Sequence, residues 1–305
     1  MFLFETLIPV FIQTILPVFL VAGAGVILAW RLPIDGRSIG RLLFYLATPA
    51  LVFRSLYQME IDLGALRQLA LVAGLVTVLA GVLGWFAGVG LERRRRAAIV
   101  LTSAVSNNGN MGIPICFFAF GQPGLAFGTI YYVISSFLSN TLGVVVASSG
   151  EAPLARALKN SLQVPVLYAA ILGLLFNRTG YQIPQPLFRA IDLLAGAAIP
   201  GMLVLLGIQL RSAPIRERQG VVMRSTLVRL VAAPLVAWLL CRFIGITGIE
   251  RDVIILQAGM PTAVMAAVLA TEYDTAPRLV ATAIFFSTII SMGTLSVVLW
   301  FLLQA

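Results

Sequence analysis

The stretch Ser106-Asn107-Asn108-Gly109-Asn110-Met111-Gly112-Ile113-Pro114 lies in the middle of an apolar segment. Its three carboxamides, two glycines and proline cannot form an ordinary lipid-facing helix, because each freed backbone group and each amide needs a partner where no water is available. The helix must therefore open there, into protein or into a cavity. A second interruption, Ala258-Gly259-Met260-Pro261-Thr262, lies at a matching place in a late segment. Paired broken helices in two halves of a chain are typical of transporters with a site near the bilayer midplane.

The composition indicates an all-α membrane protein. Of the 305 residues, 60% are hydrophobic and 11% are charged, and apolar runs long enough to span a bilayer recur along the chain. Cys116 and Cys241 fall inside predicted spans, which favours two buried small hydrophobes over a disulfide. No basic residue accompanies Glu5 before the first apolar run, so we interpret that run as a span and not as a cleaved signal peptide.

Charges, glycines and prolines divide the chain into ten predicted spans. The spans cover approximately residues 7–30, 38–57, 67–91, 97–120, 125–148, 162–177, 187–210, 224–245, 251–271 and 279–303. The polar piece at residues 148–161 separates five spans in residues 1–150 from five in residues 151–305. Because each half holds an odd number of spans, the second half enters the membrane with the opposite orientation.

The basic residues predict that both termini lie on the outer side of the membrane. With that topology the inner side receives Arg31, Arg37, Arg41, Arg93, Arg94, Arg95, Arg96, Arg156, Lys159, Arg211, Arg216, Arg218, Arg224, Arg229 and Arg278. The outer side keeps only Arg54, Arg67, Arg178, Arg189, Arg242 and Arg251. We therefore read the formal charge of +9 as a topology signal, with some attraction to membrane lipid and no nucleic-acid role.

The spacing of the two breaks predicts that they meet. Asn107 follows Arg96 by eleven residues, and Thr262 follows Arg251 by the same number. Eleven helical residues span about 16 Å, close to half of a roughly 30 Å hydrocarbon core. Span four starts inside and span nine starts outside, so both breaks fall at the midplane and the two helices cross there.

The motif Asn107-x-x-x-Met111-Gly112-Ile113-Pro114, together with Pro261-Thr262 and Ala270-Thr271-Glu272-Tyr273-Asp274, resembles the auxin efflux carrier family. That family comprises the plant PIN carriers and bacterial anion transporters, including malonate-type permeases. Plant members have a proline where this chain has Ser106, and they carry a long loop between the halves where this chain has about a dozen residues. The short loop, with twenty arginines and one lysine, favours a small bacterial member.

The resemblance covers the whole chain and implies ten transmembrane helices arranged as two inverted five-helix repeats. Spans four and nine would be the broken crossover helices of a fold like that of NhaA antiporters and bile-acid symporters. The implied function is secondary transport of small organic anions, such as auxin-like compounds or dicarboxylates. An efflux carrier with an elevator or rocking motion fits best, and a homodimer is a possible assembly.

The residues themselves suggest how an anion could bind. Amide groups offer hydrogen-bond donors, and the half-helices around a break turn backbone N–H groups toward the centre. No Arg or Lys is predicted at the midplane. The expected substrate contacts are Asn107 first, then Asn108, Asn110, Met260, Pro261, Thr262, Gln257 and Asn140. The expected helix-breaking residues are Ser106, Gly109, Gly112, Pro114, Gly259 and Pro261. Asn140 and Gln257 could equally form lone interhelical hydrogen bonds, and other amides could cap the broken helices.

The sequence has no histidine, and its carboxylates fall near predicted span ends. A proton carrier at the midplane is therefore not expected. Sodium coupling stays open, because carbonyl and amide oxygens of broken helices could hold a cation. Asp192, one turn into span seven, is the acid most worth examining. We expect no cofactor and no resident metal.

Two other functions compete with organic-anion transport. A sodium-coupled symporter of the bile-acid type would share the architecture, and a non-transporting membrane receptor or sensor would need only binding. An enzyme is disfavoured, because no nucleophile–base pair or metal-ligand cluster occurs.

Overall fold

A computed structural model describes residues 7–59, 62–148, 153–211, 217 and 219–304. The described part is almost entirely helical, and its only β-type pairing is one isolated antiparallel bridge between Ser106 and Thr262. The helices are α1 Leu7–Arg31, α2 Gly36–Gln58, α3 Leu63–Ala87, α4 Arg93–Ala104, α5 Asn108–Ala147, α6 Leu154–Leu162, α7 Pro165–Thr179, α8 Gln185–Arg211, α9 Gln219–Ile244, α10 Gly248–Ala258, α11 Met265–Glu272 and α12 Pro277–Gln304.

Seven helices in the described ranges are long and apolar enough to cross a membrane: α1, α2, α3, α5, α8, α9 and α12. This confirms the prediction of an all-α membrane protein. The helix α7 is apolar but shorter. The helix α5 bends at Gly121, whose φ of 63° and ψ of −147° are not helical. Interruptions separate α4 from α5 and α10 from α11, at the two places where the sequence predicts breaks.

Four helical spans contain a π turn, and each π turn ends two residues before a proline. The turns are Phe11–Ile15, Leu43–Ala47, Asn108–Gly112 and Val228–Ala232, followed by Pro17, Pro49, Pro114 and Pro234. A proline in a helix lacks the N–H donor and its ring collides with the carbonyl of residue i−4. Widening the preceding turn relieves that collision without ending the helix.

The helices α1 and α8 approach each other closely through glycine. An added Cβ on Gly25 would lie 2.2 Å from the carbonyl oxygen of Val204, and one on Gly207 would lie 1.8 Å from that of Ala22. The helices α2 and α7 form a second close pair, in which a Cβ on Gly173 would lie 2.9 Å from the Phe53 carbonyl oxygen. Small residues that bring backbones together replace the hydrophobic driving force that is missing between helices in lipid.

Contacts between helix ends and loops occur on two sides of the helical bundle. On one side Arg94 pairs with Asp274, and the Arg95 guanidinium lies 3.0 Å from the Glu217 carboxylate. The Arg224 guanidinium on the same side donates to the Ala87 carbonyl over 3.1 Å. On the other side the Asn177 amide donates to the carbonyls of Tyr57 and Met59, which joins α7 to the end of α2.

Some sequence predictions lie outside the described residues. These are the boundary between residues 150 and 151, the positions Glu5, Glu60, Glu151, Arg216 and Arg218, and the side chain of Arg156.

The close approach of α1 and α8 generates a stability prediction. Gly207→Ala should destabilise the protein by about 1 to 3 kcal/mol, because the new methyl group forces the two helices apart. Gly196→Ala on the same helix is the matched control, since its Cβ would meet nothing within 4 Å. Alanine favours a helix over glycine by up to about 1 kcal/mol, so the control should match or exceed wild-type stability. Thermal unfolding of the purified variants measures both, and equal melting temperatures would contradict the packing.

Candidate functional site

The first break begins where α4 ends at Ala104. Val105 is extended, with φ −89° and ψ 101°, and Asn107 also leaves the helix, with φ −81° and ψ 53°. The π turn before Pro114 then starts α5. Ser106 lies in the extended segment, so the helix breaks here without a proline at that position.

The glycines of this break allow close approach of other side chains. An added Cβ on Gly109 would lie 2.6 Å from a ring carbon of Tyr132, and one on Gly112 would lie 2.1 Å from the Gln257 side-chain oxygen. Neither glycine has a positive φ. Their role is therefore to make room for neighbours and not to supply an unusual backbone conformation.

The second break pairs directly with the first. The N–H of Asn107 donates to the Pro261 carbonyl over 2.7 Å, and the N–H of Ala263 donates to the Val105 carbonyl over 3.0 Å. These two bonds flank the antiparallel bridge between Ser106 and Thr262. The opened backbones thus satisfy each other, which supplies the hydrogen bonds that lipid cannot.

Thr262 fastens this pairing to the surrounding helices. Its hydroxyl donates to the Thr102 carbonyl in the last turns of α4 over 2.8 Å. Its backbone N–H donates to the Ser287 hydroxyl of α12 over 3.2 Å. Thr262 is 1% exposed, and both its hydroxyl and its backbone N–H are paired within the protein.

Asn108 and Gln257 form a buried pair of amides across the crossing. The Asn108 side-chain nitrogen donates to the Gln257 side-chain oxygen and to the Gln257 backbone carbonyl, each over 2.8 Å. The Gln257 side-chain nitrogen donates to the Gly128 carbonyl over 3.1 Å. The Ser106 hydroxyl donates to the side-chain oxygen of Asn108. Both amides therefore hold the two broken segments together.

Asn107 differs from these two amides. Its side chain is 5% exposed and makes no hydrogen bond with any residue that the structure describes, although its backbone is paired. Asn110 lies three residues further on, inside the π turn. It is half-buried, and its side chain also has no partner in the described ranges. These two amides remain available to a ligand at the crossing.

The other expected site residues have different positions. Met260 is fully buried in the core, and the carbonyl of Pro261 accepts from Asn107. Gly259 caps the end of α10 by donating to the carbonyls of Ile255 and Leu256. Asn140 lies in the later part of α5, where its amide donates to the Ser136 carbonyl of its own helix over 2.8 Å.

The expectation that no Arg or Lys lies at the breaks is wrong. Arg229 of α9 is 1% exposed, and its guanidinium donates to the Ser103 carbonyl over 2.8 Å and to the Ala258 carbonyl. These carbonyls belong to the ends of α4 and α10. In the sequence Arg229 lies near the predicted start of span eight, where it reads as a loop charge. Packing of α9 against both broken helices carries its long side chain to the crossing.

Carboxylates in the described part of the chain lie away from the crossing. Asp192 forms an ion pair with Arg54 over 2.7 Å, and its side chain is 56% exposed. No group of three or more His, Cys, Asp or Glu that could hold a metal ion occurs among the residues that the structure describes. Two recesses of about 250 and 200 Å³ lie beside Trp85 and Trp238.

Paired broken helices that cross in an apolar bundle are typical of a class of membrane transporters. Residues 2–156 and 152–299 match the family described as "Membrane transport protein". The chain therefore belongs to this family, the auxin efflux carriers, as its motifs predicted.

Individual relatives agree with this family membership. The chain is 30% identical over 270 residues to an "Uncharacterized transporter" of Methanothermobacter thermautotrophicus, covering 86% of this chain and 87% of the relative. It is 23% identical over 300 residues to a "Putative malonate transporter" of Rhizobium meliloti, covering 94% of each. It is 27% identical over 134 residues to "Auxin efflux carrier component 2" of Oryza sativa, covering 42% of this chain and 21% of the relative.

The amide pair generates a prediction about stability. Gln257→Ala should destabilise the protein by about 1 to 3 kcal/mol, because it removes the side-chain oxygen that accepts from the buried Asn108 amide and the amide that donates to the Gly128 carbonyl. Adding Asn108→Ala to this variant should cost less than Asn108→Ala costs alone, since the bond between the two side chains is already lost. Asn140→Ala is the control, because its amide bonds only within its own helix, and its effect should be smaller. Additive losses in the double variant, measured by thermal unfolding, would show that the two amides do not interact.

Proposed function

We propose that this protein is a secondary transporter of small organic anions and that the anion binds at the crossing of the two broken helices. The observation that carries the proposal is Asn107, a residue that is 5% exposed at the crossing and whose side chain has no hydrogen-bond partner among the described residues. An amide whose donors have no protein partner can give them to a ligand. A carboxylate accepts from amide N–H groups, so it is a chemically suitable partner.

The helix ends add to this preference for anions. The helices α5 and α11 both begin at the breaks, and the starts of helices carry partial positive charge and free N–H groups. The names of relatives include auxin and malonate, which both carry carboxylates under physiological conditions. The substrate class proposed here is therefore small carboxylates, with export as the direction that fits the family name.

We further propose ten transmembrane helices in two inverted repeats. The first span of the first half, α1, packs on the second span of the other half, α8. The second span of the first half, α2, packs on the first span of the other half, α7. This reciprocal packing supports a two-fold relation between the two halves of the chain. The side with residues 93–96 carries the basic loops, which by the positive-inside rule would be cytoplasmic in a bacterial inner membrane, with both termini outside. Contacts with membrane lipid follow from this placement, and a homodimer stays a prediction.

The closely packed helices α1, α2, α7 and α8 would form a static support, against which the crossing and its neighbours move. The crossing residues Asn107, Asn108 and Thr262 are all buried, so a substrate needs such a motion to reach them. Alternating access of this kind is typical of transporters built from inverted repeats. Because no described carboxylate lies at the crossing, we propose that transport has no obligatory proton.

The function is tested by binding and flux with Asn107→Ala. Losing a hydrogen bond to a charged group costs about 1.5 to 3 kcal/mol, so carboxylate affinity should fall roughly tenfold or more while the melting temperature changes little. Gln163→Ala, which removes an exposed amide at the end of α6, is the control and should bind as wild type does. Uptake of labelled carboxylates into proteoliposomes, at equal pH on both sides and with an imposed voltage, measures transport.

Three outcomes would contradict parts of the proposal. Unchanged affinity in Asn107→Ala, with only a lower melting temperature, would make the residue a structural cap and place the site elsewhere. Binding without flux would favour a receptor. Flux that vanishes when the pH gradient is collapsed under a maintained voltage would show that a proton is required.

A further inference from the structure

Arg229 carries a buried positive charge that anion binding alone does not use. Its guanidinium bridges the last turns of α4 and α10 through the carbonyls of Ser103 and Ala258. The remaining side-chain nitrogen, Nε, is buried and has no acceptor among the described residues. The side chain therefore donates its hydrogen bonds to the ends of both broken helices, and the buried Tyr131 also lies near its charge.

No carboxylate balances this charge within the described ranges. The ion pairs found there are Arg54–Asp192, Arg94–Asp274, Arg95–Glu217 and Arg251–Asp252. A buried charge without compensation would be strongly unfavourable. The carboxyl end of a helix carries about half a negative elementary charge, so the ends of α4 and α10 together supply about one. The guanidinium and the two helix ends thus balance each other.

Carbonyls at the ends of interrupted helices are the groups that hold a coupling cation in transporters of this architecture. Here the guanidinium already occupies two of those carbonyls. We propose that Arg229 is a resident cation, which takes the place of an exchangeable sodium ion at the crossing. This inference rests on the proposed transport function, and it names how that function is coupled.

Arginine suits this role better than lysine. The guanidinium is planar and presents five donors in a fixed fork, so one side chain reaches two carbonyls from different helices. With the negative helix ends neutralised, the positive ends of α5 and α11 dominate the field at the crossing. The fixed charge therefore favours an anion and leaves no site that must be filled by a second ion. Arg229 acts as a positioning residue and need not touch the substrate.

The test compares Arg229→Ala with Arg224→Ala. Arg224 lies on the same helix and also donates to helix-end carbonyls, Ala87 and Val89, but at an exposed position. Arg229→Ala should lower the melting temperature by about 5 °C or more. Low millimolar guanidinium chloride should restore at least half of that loss in a saturable way, whereas choline chloride at equal concentration should not. Wild type and Arg224→Ala should show no such gain.

A second readout uses carboxylate uptake into proteoliposomes. Wild-type flux should be equal in sodium and choline buffers, and flux through Arg229→Ala should rise when guanidinium is added. Wild-type flux that requires sodium, an unchanged melting temperature in Arg229→Ala, or no gain with guanidinium would each overturn the proposal. If Arg229→Ala does not fold, Arg229→Lys and the wild-type sodium comparison decide. If wild type moves no carboxylate, transport itself fails, and the guanidinium effect on melting still decides the role of Arg229.

Discussion

The structure depends on one constraint, which is that an opened helix inside a membrane must find hydrogen bonds within the protein. The two breaks meet this need together, through the bonds Asn107 to Pro261 and Ala263 to Val105. Each break supplies hydrogen-bond partners for the opened backbone of the other. Either segment opening alone would leave buried backbone groups unpaired, which costs more free energy. The amide pair, Thr262 and Arg229 then connect this short antiparallel contact to α4, α9, α10 and α12.

The same constraint bears on the anion binding that we propose for the crossing. Amides that hold the fold together have their donors occupied, as Asn108 and Gln257 do. Asn107 is also buried, but its side chain has no partner in the part of the chain that the structure describes. Occupied amides thus form the scaffold of the crossing, whereas the amide of Asn107 belongs to the proposed site. The buried guanidinium adds a fixed positive charge beside both.

Local sequence was sufficient to locate the breaks and the family, because glycine, proline and amides have strong and specific effects in an apolar segment. Helix boundaries followed from charges and prolines, and α4 breaks even though Ser106, and not a proline, precedes Asn107. The sequence could not show that Asn108 binds Gln257, since the two are 149 residues apart. It also could not show that Arg229 reaches the crossing, because a basic residue near a span end reads as a loop charge until the packing of α9 is known.

The most direct test of this account is a disulfide between positions 106 and 262. The bonds that flank this pair make it a non-hydrogen-bonded antiparallel pair, whose Cα atoms typically lie about 4.5 Å apart, within disulfide range. The measurement uses Ser106→Cys with Thr262→Cys in a chain whose Cys116 and Cys241 are replaced by alanine. The account predicts rapid cross-linking under mild oxidation in membranes, seen as a mobility shift that reductant reverses. If the pair stays reduced while the protein remains folded, the two breaks do not meet, and the proposed site does not exist.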